Sequence, residues 1–512
     1  MKCKKNWFSY FSISLAIVGF IYIFASSISA LGSTQEYPYL RKGMVFTSLF
    51  LCWMAVLLVS KILVHFRAAE IFPRKSNRGR ITELLCFLLI LAGAFLVRVW
   101  VLQSFPVTPA VFGTGTQVEL WVNLFFSIGS IGLIYYIGRK CGGRICAVAA
   151  MVLCAFWPSQ VLYSSILSEE PAFTFLIFLC GALFLHVTMD YNKDKGKPVI
   201  CCCGHLLLGI LLALTAAVRP IAVLMIVAIL LCLLPQKMEL PAKPLNEIPL
   251  MLRLIRWGWN RCILILIPYL LVSNIIWTDI EREIDRDLAS AHPSFAENSL
   301  TGLKLEEKDS IYILLDSLVQ KYELLWGNDD YGTTENRSLL EEQGSLTQWH
   351  SDFLNSMQDY NNMVYCISVS FGIIGLLFLY KRKGNYLQVF VFLYLGTAAI
   401  YLLAESENRY HYFVLPVFML LAGYGVQAIY QDARKETKKR KLQKERIVAE
   451  NHFHEKQERE YKEMEEQVEK IREEALSNIF DMEKALKEGS IVMTVSEAYQ
   501  EKEPPNGAAD EK

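Results

Sequence analysis

Twelve apolar runs constrain this chain more than any other feature in it. A helix crosses ~30 Å of hydrocarbon with roughly 17–25 apolar residues. The runs 8–30, 44–64, 83–103, 118–138, 145–163, 167–189, 200–218, 220–235, 260–277, 363–381, 386–404 and 411–430 have that character. Two of them, 145–163 and 220–235, are short enough to be re-entrant. Apolar and polar residues do not alternate with period two, which argues against a membrane β-barrel. The chain therefore reads as an all-α polytopic membrane protein with about twelve transmembrane helices.

Formal net charge is zero, from 51 basic and 51 acidic residues, and this balance hides an asymmetry. The loops 1–6, 65–81, 139–144, 190–199, 236–259 and 382–385 carry the basic clusters, such as Arg74, Lys75, Arg78 and Arg80. The loops between them are poor in Lys and Arg. The positive-inside rule places both termini in the cytoplasm, and every segment obeys the alternation. The first run is too long for a removable signal peptide and lacks a clear cleavage site, so it reads as a retained helix.

The spans divide the chain. Residues 1–277 hold nine helices, residues 278–362 a polar extracytoplasmic domain, and residues 363–430 three returning helices. Residues 431–490 form a cytoplasmic polybasic and coiled-coil helix, and residues 491–512 a disordered tail. From Asp279 to Asp359 there are eighteen acidic and six basic residues. No Asp-x-Asp-x-Asn calcium spacing occurs there, so the acidity reads as a solvated face. The segment 308–325 repeats apolar residues at helical spacing, which predicts a mainly helical outer domain. No cofactor is indicated, and divalent-metal dependence stays open.

Of the thirteen cysteines, none lies in 278–362, so that segment is not stapled by disulfides. Cys201, Cys202 and Cys203 read as small apolar filler, and Cys141 with Cys146 lacks the second half of a zinc site. In the tail, eight Lys or Arg fall between Arg434 and Arg446. Such a run attracts anionic membrane lipids by ~1 kcal/mol per charge. Beyond it Tyr461, Met464, Val468, Ile471, Ala475, Asn478 and Met482 recur every three and four residues. This spacing predicts a short coiled coil, with a protein partner or a second copy, or else a long charged helix.

The charged residues near helix ends gather on the predicted outer side. The stretch ESENRYHYFVLP (405–416) brings Glu405, Glu407, Arg409, Tyr410 and His411 to the start of the last span. Glu169 and Glu170 open the sixth span, Arg219 and Pro220 join the seventh to the eighth, and Arg98 lies near the outer end of the third. Charge at a bilayer edge is costly unless paired or used. Arginine grips phosphate with a planar fork that keeps its charge, and a neighbouring carboxylate orients or deprotonates a hydroxyl. Trp157, Tyr163, Tyr410 and Tyr412 are suited to stacking on a sugar or a polyprenyl chain. The plain alternatives are interfacial anchors, a helix start at Glu169-Glu170-Pro171, and a Glu405–Arg409 pair four residues apart.

Three tracts carry a resemblance: SSILSEEPAFTFLIF (164–178), VRP (218–220) and ESENRYHYFVLPVFMLLAGYG (405–425). Together they resemble bacterial GT-C glycosyltransferases, in the branch of protein mannosyltransferase-like and aminoarabinose-transferase-like enzymes. WPSQVLYSSILSEE (157–170) is similar to a helix pair of that family. KYELLWGNDDYG (321–332) is similar to an outer-loop Lys and Trp element of its Gram-positive members. The resemblance covers roughly 83–430. It implies a GT-C-like core from about residue 83, a polyprenyl-phosphate-linked sugar donor, and inverting transfer on the outer face of the bacterial plasma membrane. It makes Arg409 a phosphate contact and Arg219 a second one, with Glu405, Glu407, Tyr410 and His411 lining the cavity. Glu169 occupies the family's Ser-Glu position.

One departure matters. The family places a catalytic Asp in its first large outer loop, whereas Ser104–Val118 here holds neither Asp nor Glu. The nearest carboxylate is Glu119. Either Glu119 or Glu169 is the catalytic base, or transfer is lost and binding of lipid-linked sugar remains. The leading expectation is a glycosyltransferase acting on a cell-surface glycan, lipid or protein. The rivals are a non-catalytic scaffold and, behind it, a precursor transporter, for which no internal repeat is visible. No nucleic-acid partner is implied. A cysteine placed at position 330 is expected to react with an impermeant maleimide added outside intact cells; protection there overturns the topology.

Overall fold

The computed structural model describes residues 7–30, 38–65, 77–105, 116–190, 198–235, 257–287, 310–382, 386–403 and 408–489. Every regular element among them is helical. In chain order these are α1 (Trp7–Ala30), α2 (Pro38–His65), α3 (Asn77–Ser104), α4 (Thr116–Cys141), α5 (Arg144–Ala155), α6 (Pro158–Leu162), α7 (Glu170–Leu185), α8 (Pro198–Val218), α9 (Val223–Leu233), α10 (Gly258–Asp287), α11 (Ser310–Trp326), α12 (Tyr331–Glu342), α13 (Gln348–Lys381), α14 (Gln388–Leu403) and α15 (Leu415–Lys487). Short 3₁₀ turns occupy Tyr163–Ser165, Pro220–Ala222 and Asn408–His411. The chain is an all-α polytopic membrane protein.

Eight of these helices are long and apolar enough to cross a membrane, and a bent pair raises the number to nine. The bent pair is Arg144–Ala155 with Pro158–Ser165, turned by 52°. Pro158 causes the break: its ring excludes a continuous helix, and Trp157 before it is extended (φ −71°, ψ 119°). The expected crossings 220–235 and 386–404 become the shorter apolar helices Pro220–Leu233 and Gln388–Leu403. The expected final crossing 411–430 falls in the helix Leu415–Lys487, which is not among the helices apolar enough to cross.

The domain limits read from the sequence fall inside helices. Residues 277 and 278 both belong to α10, and 362 and 363 both belong to α13. Contacts divide the chain into Met1–Arg434 and Lys435–Lys512. The first unit has a continuous core through Phe20, Trp326, Tyr394 and Phe418, all buried. Within the second unit the helix is exposed from Lys435 to Lys484, including Tyr461, Met464, Val468 and Ile471. Pairs such as Lys462–Glu458 (3.2 Å) lie along its surface.

Two helices meet backbone to backbone. A Cβ on Gly375 of α13 would fall on the Leu421 carbonyl of α15, and one on Gly425 would fall on the Phe371 carbonyl. Small residues allow this approach, which replaces a hydrophobic drive that lipid does not supply. Gly425→Val is expected to destabilise the folded protein by ~1–3 kcal/mol or more. Detergent-resistance and thermal-melting measurements test this, and a melting temperature equal to wild type contradicts the close packing. For surface labelling, Glu342 at the far end of α12 is exposed, whereas position 330 is half-buried.

Candidate functional site

The site begins with a polar turn sunk into the bundle. After α11 ends at Trp326, the residues Gly327-Asn328-Asp329-Asp330 lead into α12. A buried turn must have partners for its backbone groups. Tyr365 donates its hydroxyl to the Trp326 carbonyl (2.6 Å), and Ser27 donates to the Gly327 carbonyl (2.8 Å). The Asn361 amide donates to the Asp329 carbonyl. The Asp330 carbonyl takes the amides of Thr333 and Thr334 at 3.0 Å each, which starts α12.

Asp329 is 3% exposed, which overturns its reading as part of a solvated acidic face. Its Oδ2 accepts from Trp157 Nε1 (2.5 Å) and from the Ser159 hydroxyl (2.6 Å). Its Oδ1 lies 3.1 Å from His411 Nε2. Burial, then the adjacent Asp329, push the Asp330 carboxyl above its ordinary range.

Beside this turn is a cavity of about 430 Å³. One wall is an ion pair: Arg219 Nη1 is 2.6 Å from Glu170 Oε1, and its Nε is 3.6 Å from Glu169 Oε2. The lining also carries Arg409, whose guanidinium lies over the Tyr410 ring (4.8 Å) and donates to the Tyr410 hydroxyl (2.9 Å). Tyr410 in turn stacks on Tyr401 at 4.7 Å and 6°. Tyr163 and Tyr331 complete the polar lining with Ser168, and Pro220 and Ile221 are the apolar part. Among the described residues, Ser168 Oγ and Glu170 Oε2 are buried without a hydrogen-bond partner.

Local sequence explains these placements. Glu169 is the N-cap of α7 and Pro171 sits in its first turn, so the helix starts where acids face its positive end. Arg219 is extended (φ −147°, ψ 125°) because Pro220 follows it, and this separates α8 from the next helical turn.

Glu170, Arg219, Arg409 and Tyr410 therefore meet in one cavity. Glu169 stands at its edge, with a side chain 69% exposed. His411 does not line it: the ring is fully buried, stacked 5.4 Å from Trp326, with Nδ1 on the Leu325 carbonyl. Arg98 does not line it either. It is fully buried and donates to the Ala155 carbonyl (2.7 Å), the Cys154 carbonyl (3.3 Å) and the Ser127 hydroxyl (2.9 Å). Pro158 ends α5 and leaves those carbonyls without helical partners, and a guanidinium with five donors satisfies them.

Glu119 lies in the first turn of α4, off the cavity lining, with Oε2 buried and unpartnered among the described residues. Glu405 and Glu407 lie outside the described residues, as does most of the loop 104–118. Sequence reasoning missed Asp329, Tyr331 and Tyr401. The signal for the first two was a Trp and a Gly set inside an otherwise polar segment, WGNDDY. No group of three or more His, Cys, Asp or Glu among the described residues is placed to hold a metal ion.

No family model matches the chain, and no curated protein matches it. Among solved structures it is similar to an oligosaccharyltransferase from Archaeoglobus fulgidus. One crystal structure of that enzyme is tethered through a disulfide to an acceptor peptide containing the NVT sequon, and another is a complex with Zn and sulfate. The TM-scores are 0.29 and 0.20, with 15% and 13% identity over 60% of this chain. The match spans only 38% and 41% of the other chain. A likeness this loose assigns neither fold nor residue correspondence.

Glu170 and Arg219 are expected to be energetically coupled. A double-mutant cycle of Glu170→Ala and Arg219→Ala on thermal stability should give an interaction of ~0.5–3 kcal/mol. Simple additivity removes the pair as an element of the cavity wall.

Proposed function

We propose that the protein is a membrane glycosyltransferase of GT-C type. It moves a sugar from a polyprenyl-phosphate donor to a glycan, lipid or protein on the outer face of a bacterial plasma membrane. The observation that carries this reading is the cavity itself: Arg409 and the Arg219–Glu170 pair enclose about 430 Å³ with four tyrosines. Small-molecule sites commonly occupy ~300–1,000 Å³ and combine apolar walls with a few placed polar groups. Each part has a chemical counterpart in the donor. Guanidinium groups suit phosphate, tyrosine rings suit sugar faces, and Pro220 with Ile221 suits the first isoprene units.

Arg409, on the cavity lining over the Tyr410 ring, takes the role of phosphate contact, and Arg219 beside it is held by Glu170 and Glu169. In the transfer, an acceptor hydroxyl attacks the anomeric carbon and forms the new glycosidic bond. The bond to the phosphate oxygen breaks, and polyprenyl phosphate leaves with that electron pair, stabilised by the guanidinium. The acceptor's proton passes to a carboxylate. Glu169, at the cavity edge, fits that role better than Glu119. A second reading is binding without transfer. It is favoured by one observation, that the buried Glu170 carboxylate is held by Arg219 at 2.6 Å.

Arg409→Ala is expected to weaken binding of a polyprenyl monophosphate to protein in lipid nanodiscs. One lost charged hydrogen bond is worth ~1.5–3 kcal/mol, or roughly tenfold and more in affinity. Equal affinity removes the phosphate role. Glu169→Gln is expected to retain binding and lose transfer from a polyprenyl-phosphate sugar. Wild-type protein that binds the lipid and never transfers supports the second reading.

A further inference from the structure

The cavity lining comes from several separate stretches of chain, and one buried carboxylate ties three of them together. Asp329 Oδ2 takes Trp157 and Ser159, from the corner that leads within four residues to Tyr163. Asp329 itself lies two residues before Tyr331. Its Oδ1 faces His411, which directly follows Arg409 and Tyr410. Tyr163, Tyr331, Arg409 and Tyr410 all line the cavity. Trp157 and His411 are fully buried and Asp329 nearly so, so water does not substitute for any of these contacts.

The hydrogen-bond pattern also defines a proton. A carbonyl only accepts, so the His411 Nδ1 that meets the Leu325 carbonyl carries hydrogen. The other nitrogen, Nε2, meets Asp329 Oδ1, an oxygen of a carboxylate. Two lone pairs would otherwise face each other at 3.1 Å, so a proton lies between them. The indole of Trp326 stacks on the imidazole (5.4 Å, 17°), which favours a cationic ring. The other groups around the pair are the Trp157 and Ser159 donors, the Asn361 amide on the Asp329 carbonyl, the adjacent Asp330, and Tyr365 on the Trp326 carbonyl.

We propose that Asp329 and His411 form a buried carboxylate–imidazolium pair, and that Asp329 is the positioning residue that sets Tyr163, Tyr331 and Arg409 around the cavity. The pair touches no ligand; it acts by fixing the walls. The proposal rests on the reading of the cavity as the ligand site. It adds that ligand affinity depends on a carboxylate the ligand never meets.

Two measurements on the full-length protein in lipid test this. In ¹⁵N-histidine spectra, with His411 identified by the loss of its signals in His411→Gln, both ring nitrogens are expected to be protonated. In Asp329→Asn the side-chain amide donates to Nε2 while its oxygen keeps Trp157 and Ser159, so Nε2 is expected to lose its proton. An unprotonated Nε2 in the wild type overturns the pair. In the second measurement, decaprenyl monophosphate binding is expected to weaken about tenfold or more in Asp329→Ala. Asp329→Asn should recover it to within about threefold. Leu340→Ala, a core truncation in α12, controls for general destabilisation and should leave affinity unchanged. Wild-type affinity in Asp329→Ala overturns the positioning role, and so does an equal loss in Leu340→Ala. If Arg409→Ala leaves binding unchanged, the phosphate reading fails by itself, and the histidine spectra still decide the pair.

Discussion

A turn of polar backbone enters a helical membrane bundle only when every carbonyl and amide it carries finds a partner. In the turn from Trp326 to Tyr331, carbonyls and a carboxylate are held by residues from four other parts of the chain. Ser27 and Tyr365 hold its carbonyls, Asn361 holds the carbonyl of Asp329, and Trp157, Ser159 and His411 surround the Asp329 carboxylate. Remove the carboxylate and two buried donors and a buried imidazole lose their acceptor together. Unmade buried hydrogen bonds cost more than made ones contribute, so the network is held as a unit. It is also where the long polar segment meets the membrane helices, and the cavity lies beside it.

Two arginines of the first unit, both flagged by position alone, turn out to serve different ends. Arg98 is consumed by structure: the proline-induced break after α5 leaves carbonyls exposed within the bundle, and the guanidinium covers them. Arg219 is placed by its own proline at the edge of a cavity and paired with a carboxylate. The chemistry of the side chain is the same in both. What differs is whether the nearest unsatisfied groups belong to the protein's own backbone or to an adjoining void.

Much of the fold was legible because apolar run length maps directly onto membrane-crossing helices. The runs near 8–30, 44–64, 83–103 and 118–138 return as helices with shifts of a few residues. The runs 220–235 and 386–404 return as shorter apolar helices, since composition does not separate a full crossing from a shorter buried helix. Within the site, Glu170, Arg219, Arg409 and Tyr410 were legible because charge at helix ends is sparse and therefore conspicuous. Tyr401 was not, since a tyrosine at the end of an apolar helix looks like any interfacial anchor. Asp329 was misread because an acidic residue in an acidic segment carries no local sign of burial.

The sequence by itself determined that this is an all-helical membrane chain and which helix ends bear charge. Both follow from local properties, the length of apolar runs and the positions of Pro, Glu and Arg. Only the tertiary structure decided that Asp329 is buried, that His411 faces away from the cavity, and that Arg98 caps a broken helix. Each of those outcomes depends on partners far along the chain, from Trp157 to Asp329 and from Leu325 to His411. A side chain's role in a bundle is set by which unsatisfied groups the packing brings within hydrogen-bond distance, and no local pattern encodes that.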